Sequence, residues 1–170
     1  SEDLGRANHA ILAEEIDSKL LPRDNGGTFG GDPLFLAVND LMRMRKNGGY
    51  FDKQISRAEI EAQKPVFAKH PELHQYLLAA HAFYVDQKPV DVIAMIPDSA
   101  RFPRMGFVHF SRQALRGLAL DAVKDRNARG FWEELIAHAG AVPQSAIAEM
   151  ALAMNMERGN AVAEVFAPES

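Results

Sequence analysis

The chain has 170 residues, 47% of them hydrophobic and 25% charged, with a formal net charge of -4. Those values describe a globular chain able to bury a core, and they exclude disorder over most of its length. The absence of cysteine excludes disulfides, thiolate metal sites and cysteine nucleophiles, and the net negative charge argues against nucleic acid as a partner.

Apolar runs such as residues 148–156 are too short and too interrupted to span a bilayer. The chain opens on Ser1-Glu2 without methionine, and the expectation is that a preceding segment has been processed or trimmed away. Compartment stays open between the cytoplasm and export to a periplasm.

In chain order, Leu4, Ile11, Leu12, Ile16 and Leu20 form a helical stripe across residues 3–21. A glycine-rich loop follows at residues 24–31, and Asp32-Pro33 starts a second helix with Asp as N-cap and Pro in the first turn. Leu34, Val38, Leu41 and Met42 continue that helix, and Gly48-Gly49 closes it. Ser56-Arg57-Ala58-Glu59 has capping-box form, so a short helix begins there, and Pro65 cuts or kinks it.

From His70 onward a two-helix pattern recurs. The first copy turns at Asp86-Gln87-Lys88-Pro89 and ends at Pro97, the second turns between Lys124 and Asn127, and a third is expected to turn at Arg158-Gly159. The turns are spaced by about 38 and about 33 residues, within the span of helical-hairpin repeats. Small residues (Ala79 and Ala80; Gly117 and Ala119; Ala151 and Ala153) stand before the turns, where two helices approach closely. The stretch VDVIAMI has strand-like composition but helical neighbours and no partner strand.

Residues 76–97, YLLAAHAFYVDQKPVDVIAMIP, resemble a degenerate tetratricopeptide-type unit. Tyr76, Ala79, Ala80 and Phe83 match its large–small–small–large first helix, and the segment ends in proline; Gln87 and Val92 stand where that family usually has glycine and alanine. The arrangement is also similar in shape to the irregular α-superhelical, non-catalytic domains attached to bacterial soluble lytic transglycosylases. Both resemblances imply a scaffold or binding role, because stacked hairpins leave a concave groove.

Three histidines, His70, His74 and His81, fall near one helical face and are the nearest approach to a metal-binding signature. Pro71 stands where H-E-x-x-H has its glutamate, and it makes His70 an N-cap outside the regular helix. The expectation is therefore a cap and two histidines on a polar helix edge, with no metal and no cofactor. Glu134 and His138 lack the Glu-x-x-His spacing of a di-iron site and read as a helix-face pair. The loop NGGTFGGDP matches no P-loop, because Asp32-Pro33 replaces the Lys-Ser/Thr; its Phe29 is the one residue a flexible connection does not require. Glu14, Glu15 and Asp17 read as a solvated acidic turn, and the methionines as core filling.

Charge divides the C-terminal half. Residues 101–130 carry seven basic and two acidic side chains, and residues 131–170 six acidic and one basic. Complementary neighbouring helices are one reading and a basic surface for an acidic partner is the other.

Together these features predict an all-α single domain of stacked helical hairpins, solenoid-like, with N-terminal helices over 1–69 and hairpin repeats over 70–170. The expected function is a non-catalytic helical-repeat module binding a protein or peptide partner. Tyr84, Arg112 and Arg116 are the candidate contacts, on a groove lined by the first helices of the hairpins. The alternative is a small all-α enzyme or metal-binding protein using His70, His74 and His81.

Overall fold

A computed structural model describes the backbone of residues 2–20, 33–34, 36–38, 55–97 and 106–166, and side chains over the same ranges except 2–3 and 161–166. The protein is all-α. The described elements are α1 (Glu2–Lys19), α2 (Arg57–Ala62), a 3-10 turn (Lys64–Phe67), α3 (Pro71–Tyr84), α4 (Pro89–Met95), α5 (Phe107–Ala122), α6 (Ala128–His138) and α7 (Ser145–Phe166), with no strand among them. Residues 33–34 and 36–38 are helical as well. The glycine-rich loop, Phe29, Asp32 and Gly48-Gly49 lie outside the described residues.

Local chemistry sets most boundaries. Ser56 Oγ accepts from the Glu59 N–H at 3.2 Å while Glu59 Oε2 accepts from the Ser56 N–H at 3.4 Å, so both halves of the capping box are made. Pro65 falls in the 3-10 turn that follows α2. Pro71 occupies the first turn of α3 with His70 as N-cap, although the imidazole makes no capping bond. The segment VDVIAMI is helical, inside α4.

Two hairpin turns fall where the sequence places them, and each reverses on a non-glycine residue. Gln87 and Lys124 take φ of 53° and 57°, in the left-handed region that disfavours a Cβ. After α5 the Asp125 N–H reaches the Leu120 carbonyl and the Lys124 N–H the Asp121 carbonyl, which is a Schellman termination. After α3 the Val85 and Asp86 N–H groups share the His81 carbonyl, and Lys88 donates to Ala82.

The expected third turn does not form: α7 runs unbroken from Ser145 to Phe166 through Gly159. A glycine stops a helix only when it takes the left-handed conformation, and one left in a helix interior costs about 1 kcal/mol relative to alanine. Among the described residues there are thus two hairpins, α3–α4 and α5–α6, followed by a single long helix.

Packing runs through a central helix. Helix α5 packs against α1, α3, α4, α6 and α7, and α1 also touches α7. Pure nearest-neighbour stacking would keep the first and last elements apart. One group of core side chains centres on Leu12, Ile16, Phe67, Leu73 and Tyr76, and a second on Phe110, Leu118, Trp132, Leu135 and Ile147. Phe83 and Ile93 pack against both and join them.

Helix α1 docks by an unusual face, because its buried row Leu4, Asn8, Leu12, Ile16 includes an amide. Asn8 donates to the Ser111 carbonyl at 3.1 Å, and the adjacent His9 Nδ1 lies 3.0 Å from the Tyr76 hydroxyl. These bonds fix α1 against α5 and α3. Complete burial pushes the Tyr76 phenol far above its ordinary pKa, so it is neutral.

At Gly117 a small residue before a turn serves close approach, whereas Ala153, ahead of the turn that does not form, is exposed. A Cβ placed on Gly117 of α5 would stand 2.4–2.8 Å from the Trp132 ring of α6. Trp132 is 0% exposed, and its Nε1 donates to Asp121 Oδ2 at 3.0 Å. Asn155 and Arg158 of α7 meet the other Asp121 oxygen at 3.1 and 3.3 Å, so one carboxylate ties α5, α6 and α7. This pair sets an acid of the basic segment against the lone base of the acidic one, the reverse of the net charges.

Candidate functional site between α3 and α5

The two hairpins lie side by side through their first helices, and along α3 a groove of about 790 Å³ reaches from the 3-10 turn to Arg112 of α5. The 3-10 turn supplies Lys64, Pro65 and Phe67, and Ala68 follows it; α3 supplies Pro71, Glu72, His74, Gln75 and Leu78; α4 supplies Met95 and α5 supplies Arg112. The wall is mostly hydrocarbon, with the exposed Lys64 at one side and the half-buried guanidinium of Arg112 set into it.

The cation is held by a relay of side chains. Gln75 Nε2 donates to the Met95 carbonyl at 2.5 Å, which turns Gln75 Oε1 toward α5. Arg112 Nη1 donates to that oxygen at 2.5 Å, and Arg112 Nη2 donates to His109 Nδ1 at 2.5 Å. Because arginine can only donate, Nδ1 must be the unprotonated nitrogen, and the neutral imidazole carries its proton on Nε2. Burial first, and then the neighbouring Arg112 charge, hold the His109 pKa below its ordinary value, with Glu72 acting weakly the other way. Burial also lowers the Arg112 pKa, and Glu72 partly opposes it. His109 therefore acts as an acceptor for the guanidinium, not as a poised base: the nitrogen that would take a proton is occupied.

Of the residues the sequence singles out, Arg112 alone of the three contact candidates lines this groove. Arg116, one turn further along α5, donates from Nη1 to the Ile93 carbonyl at 2.8 Å and also bonds the Ile96 carbonyl. With Gln75 on Met95 and Gln113 on Pro97, it satisfies the carbonyls at the C-terminal end of α4, where a cation also complements the helix dipole. Arg116 also borders a second recess of about 500 Å³ with Leu120, Asp125, Arg126 and Glu134. Tyr84 turns toward α1, where its hydroxyl presses on Gly5, and it meets Phe83 edge-on at 4.9 Å.

The histidines are not on a polar edge. His74 and His81 are 6% and 4% exposed, and their Nε2 atoms meet the carbonyls of Ile60 and Ile55 at 2.8 and 3.0 Å. They act as struts between α3 and the segment that starts α2. His70 caps α3 by backbone alone, and among the described residues no three His, Asp or Glu side chains converge as metal ligands. His138 Nδ1 bonds the Glu134 carbonyl rather than its carboxylate.

Two further expectations change. Glu15 is 6% exposed and pairs with Lys19 at 2.7 Å, so the acidic turn is not uniformly solvated. Met150 and Met156 are 55% and 45% exposed on α7, outside the core.

Sequence reasoning missed Gln75 and His109. One signal pointed to Gln75: it lies 37 residues before Arg112, close to the spacing between the first two expected turns. No helix among the described residues is long and apolar enough to cross a membrane. Set against family models, curated proteins and solved structures, the chain has no match.

Proposed function

We propose that this chain is a non-catalytic helical-hairpin module that holds a segment of a partner protein in the groove between α3 and α5. The observation that carries this reading is the groove itself, a hydrocarbon wall beside a preoriented guanidinium whose described acceptors are both neutral. Recognition sites are built from this combination of apolar lining and a few placed polar groups. The tetratricopeptide-like character of α3–α4 belongs to the same proposal, since such hairpins receive partners along their first helices. Lys64 and Arg112 fit an acidic or anionic feature of the partner.

The test is a peptide-display selection run in parallel on the wild type and on Ala68→Arg. Ala68 is exposed at the groove, so the substitution fills the groove without entering the core. Peptides enriched on the wild type and lost on Ala68→Arg are the expected result. Enrichment that Ala68→Arg leaves untouched, or no enrichment at all, refutes the assignment.

A further inference from the structure

Resting on the groove assignment above, we infer that the groove reads a free carboxyl terminus: the α-carboxylate of a partner chain ending in an apolar residue, bound to Arg112. A guanidinium has five N–H groups. Gln75 Oε1 and His109 Nδ1 take one from each Nη. The Nε atom is enclosed without a partner, so one further N–H remains on each Nη for a ligand. Donors on both Nη atoms can serve the two oxygens of one carboxylate.

None of the ion pairs among the described residues includes Arg112. Among the described residues the acid that acts on it is Glu72, which lines the same groove from an exposed position on α3 and makes no ion pair with it. A half-buried cation whose charged form is opposed by burial gains from an anion that accepts directly from its remaining N–H groups.

The surrounding wall decides which carboxylate fits. Leu78 and Met95 offer hydrocarbon in the same groove as the guanidinium, with the buried Phe67 behind them, so one residue with an apolar side chain and its own carboxylate satisfies both. An internal Asp or Glu would bring peptide groups on both sides of it into the groove. The amide nitrogen of Gln75 and Nε2 of His74 are already committed to carbonyls. A chain passing through would leave buried backbone groups unpaired, and a chain end leaves fewer.

The experiment uses acetylated hexapeptide pools, randomised at five positions and ending in Leu, Phe, Met or Val. Each pool is made as the free acid and as the C-terminal amide, and binding is measured on the wild type, Arg112→Gln and Ala68→Arg. The expected result is that the acids bind roughly 10–100-fold more tightly than the amides on the wild type. That ratio should fall to near one on Arg112→Gln, and Ala68→Arg should bind neither form. The acid–amide comparison on the wild type stands even if Arg112→Gln fails to fold. Equal binding of acid and amide, both abolished by Ala68→Arg, overturns the carboxylate reading and leaves the groove assignment intact. No binding of either form overturns both. Octanoate that binds as tightly as the best pool overturns the chain terminus in favour of a small apolar acid.

Discussion

Gly117→Ala is the substitution whose sign the packing of α5 on α6 decides. In an isolated helix, replacing an interior glycine by alanine stabilises by about 1 kcal/mol. Here the new methyl would stand 2.4, 2.5 and 2.8 Å from Cη2, Cζ2 and Cζ3 of Trp132. Carbon atoms in contact prefer about 3.5–4.0 Å, so the ring and the helix must separate by about 1 Å. The indole has nowhere to go, being 0% exposed and tied through Nε1 to Asp121 at 3.0 Å. Overpacking of this kind costs about 1–3 kcal/mol, and weakening a bond to a carboxylate about 1.5–3 kcal/mol if it is lost. After the propensity gain is subtracted, we expect a net loss of about 1–3 kcal/mol, or roughly 2–12 °C in Tm for a chain of this size. Urea denaturation monitored by helical circular dichroism reads the loss directly. In a Trp132→Phe background the benzo ring is gone, and the same substitution should change sign and stabilise. Gly117→Ala that raises stability in the wild type would show that the indole does not lie over that glycine.

Other substitutions test the site's supports. His74→Ala and His81→Ala should each cost about 1–3 kcal/mol by stranding the Ile60 or Ile55 carbonyl; wild-type stability in denaturant melts would return these histidines to the surface. Arg116→Ala should cost about 1.5–3 kcal/mol and reduce amide-exchange protection at the end of α4; unchanged protection there would contradict its capping role. Lys124→Gly should be neutral or stabilising by up to about 1 kcal/mol, since glycine relieves the left-handed strain at some entropic cost. A clear loss in thermal melts would point to a different turn. The His109 pKa is lowered in the folded state, so the unfolded chain binds more protons. Stability should therefore be lost as pH falls through about 6.5 toward the folded value, and be unaffected by this group above that range. His109→Gln should remove that part of the slope in denaturation curves taken across the range, and an identical slope would show that His109 titrates normally.

Features written in adjacent residues were legible in the sequence. The capping box at Ser56 and Glu59, Pro71 after His70, and the polar turns at 86–89 and 124–127 all depend on local hydrogen bonds and backbone limits, which neighbouring side chains set. Other features depend on a distant partner. His74 and His81 look like a polar edge until the carbonyls of residues 60 and 55 are placed against them. Glu15 and Tyr84 acquire their surroundings only when α1 is docked. Gly159 misleads because glycine permits a turn without compelling one, while Gln87 and Lys124 make the turns that exist. The site stands at both levels: Arg112 was visible as one of a cluster of bases, but the relay from Met95 through Gln75 crosses three helices and has no local signature.

The central claim is that a partner segment sits between α3 and α5, and an amide-resolved NMR titration tests it most directly. With the 15N-labelled protein and a peptide enriched on the wild type, the largest shifts should fall on the Gln75 side-chain amide and on the backbone of Ala68, Leu78 and Arg112. Residues of α7 around Met150 and Met156 should stay in place. Shifts concentrated on that exposed methionine face, with Gln75 and Arg112 unmoved, would contradict the account and move the binding surface to α7.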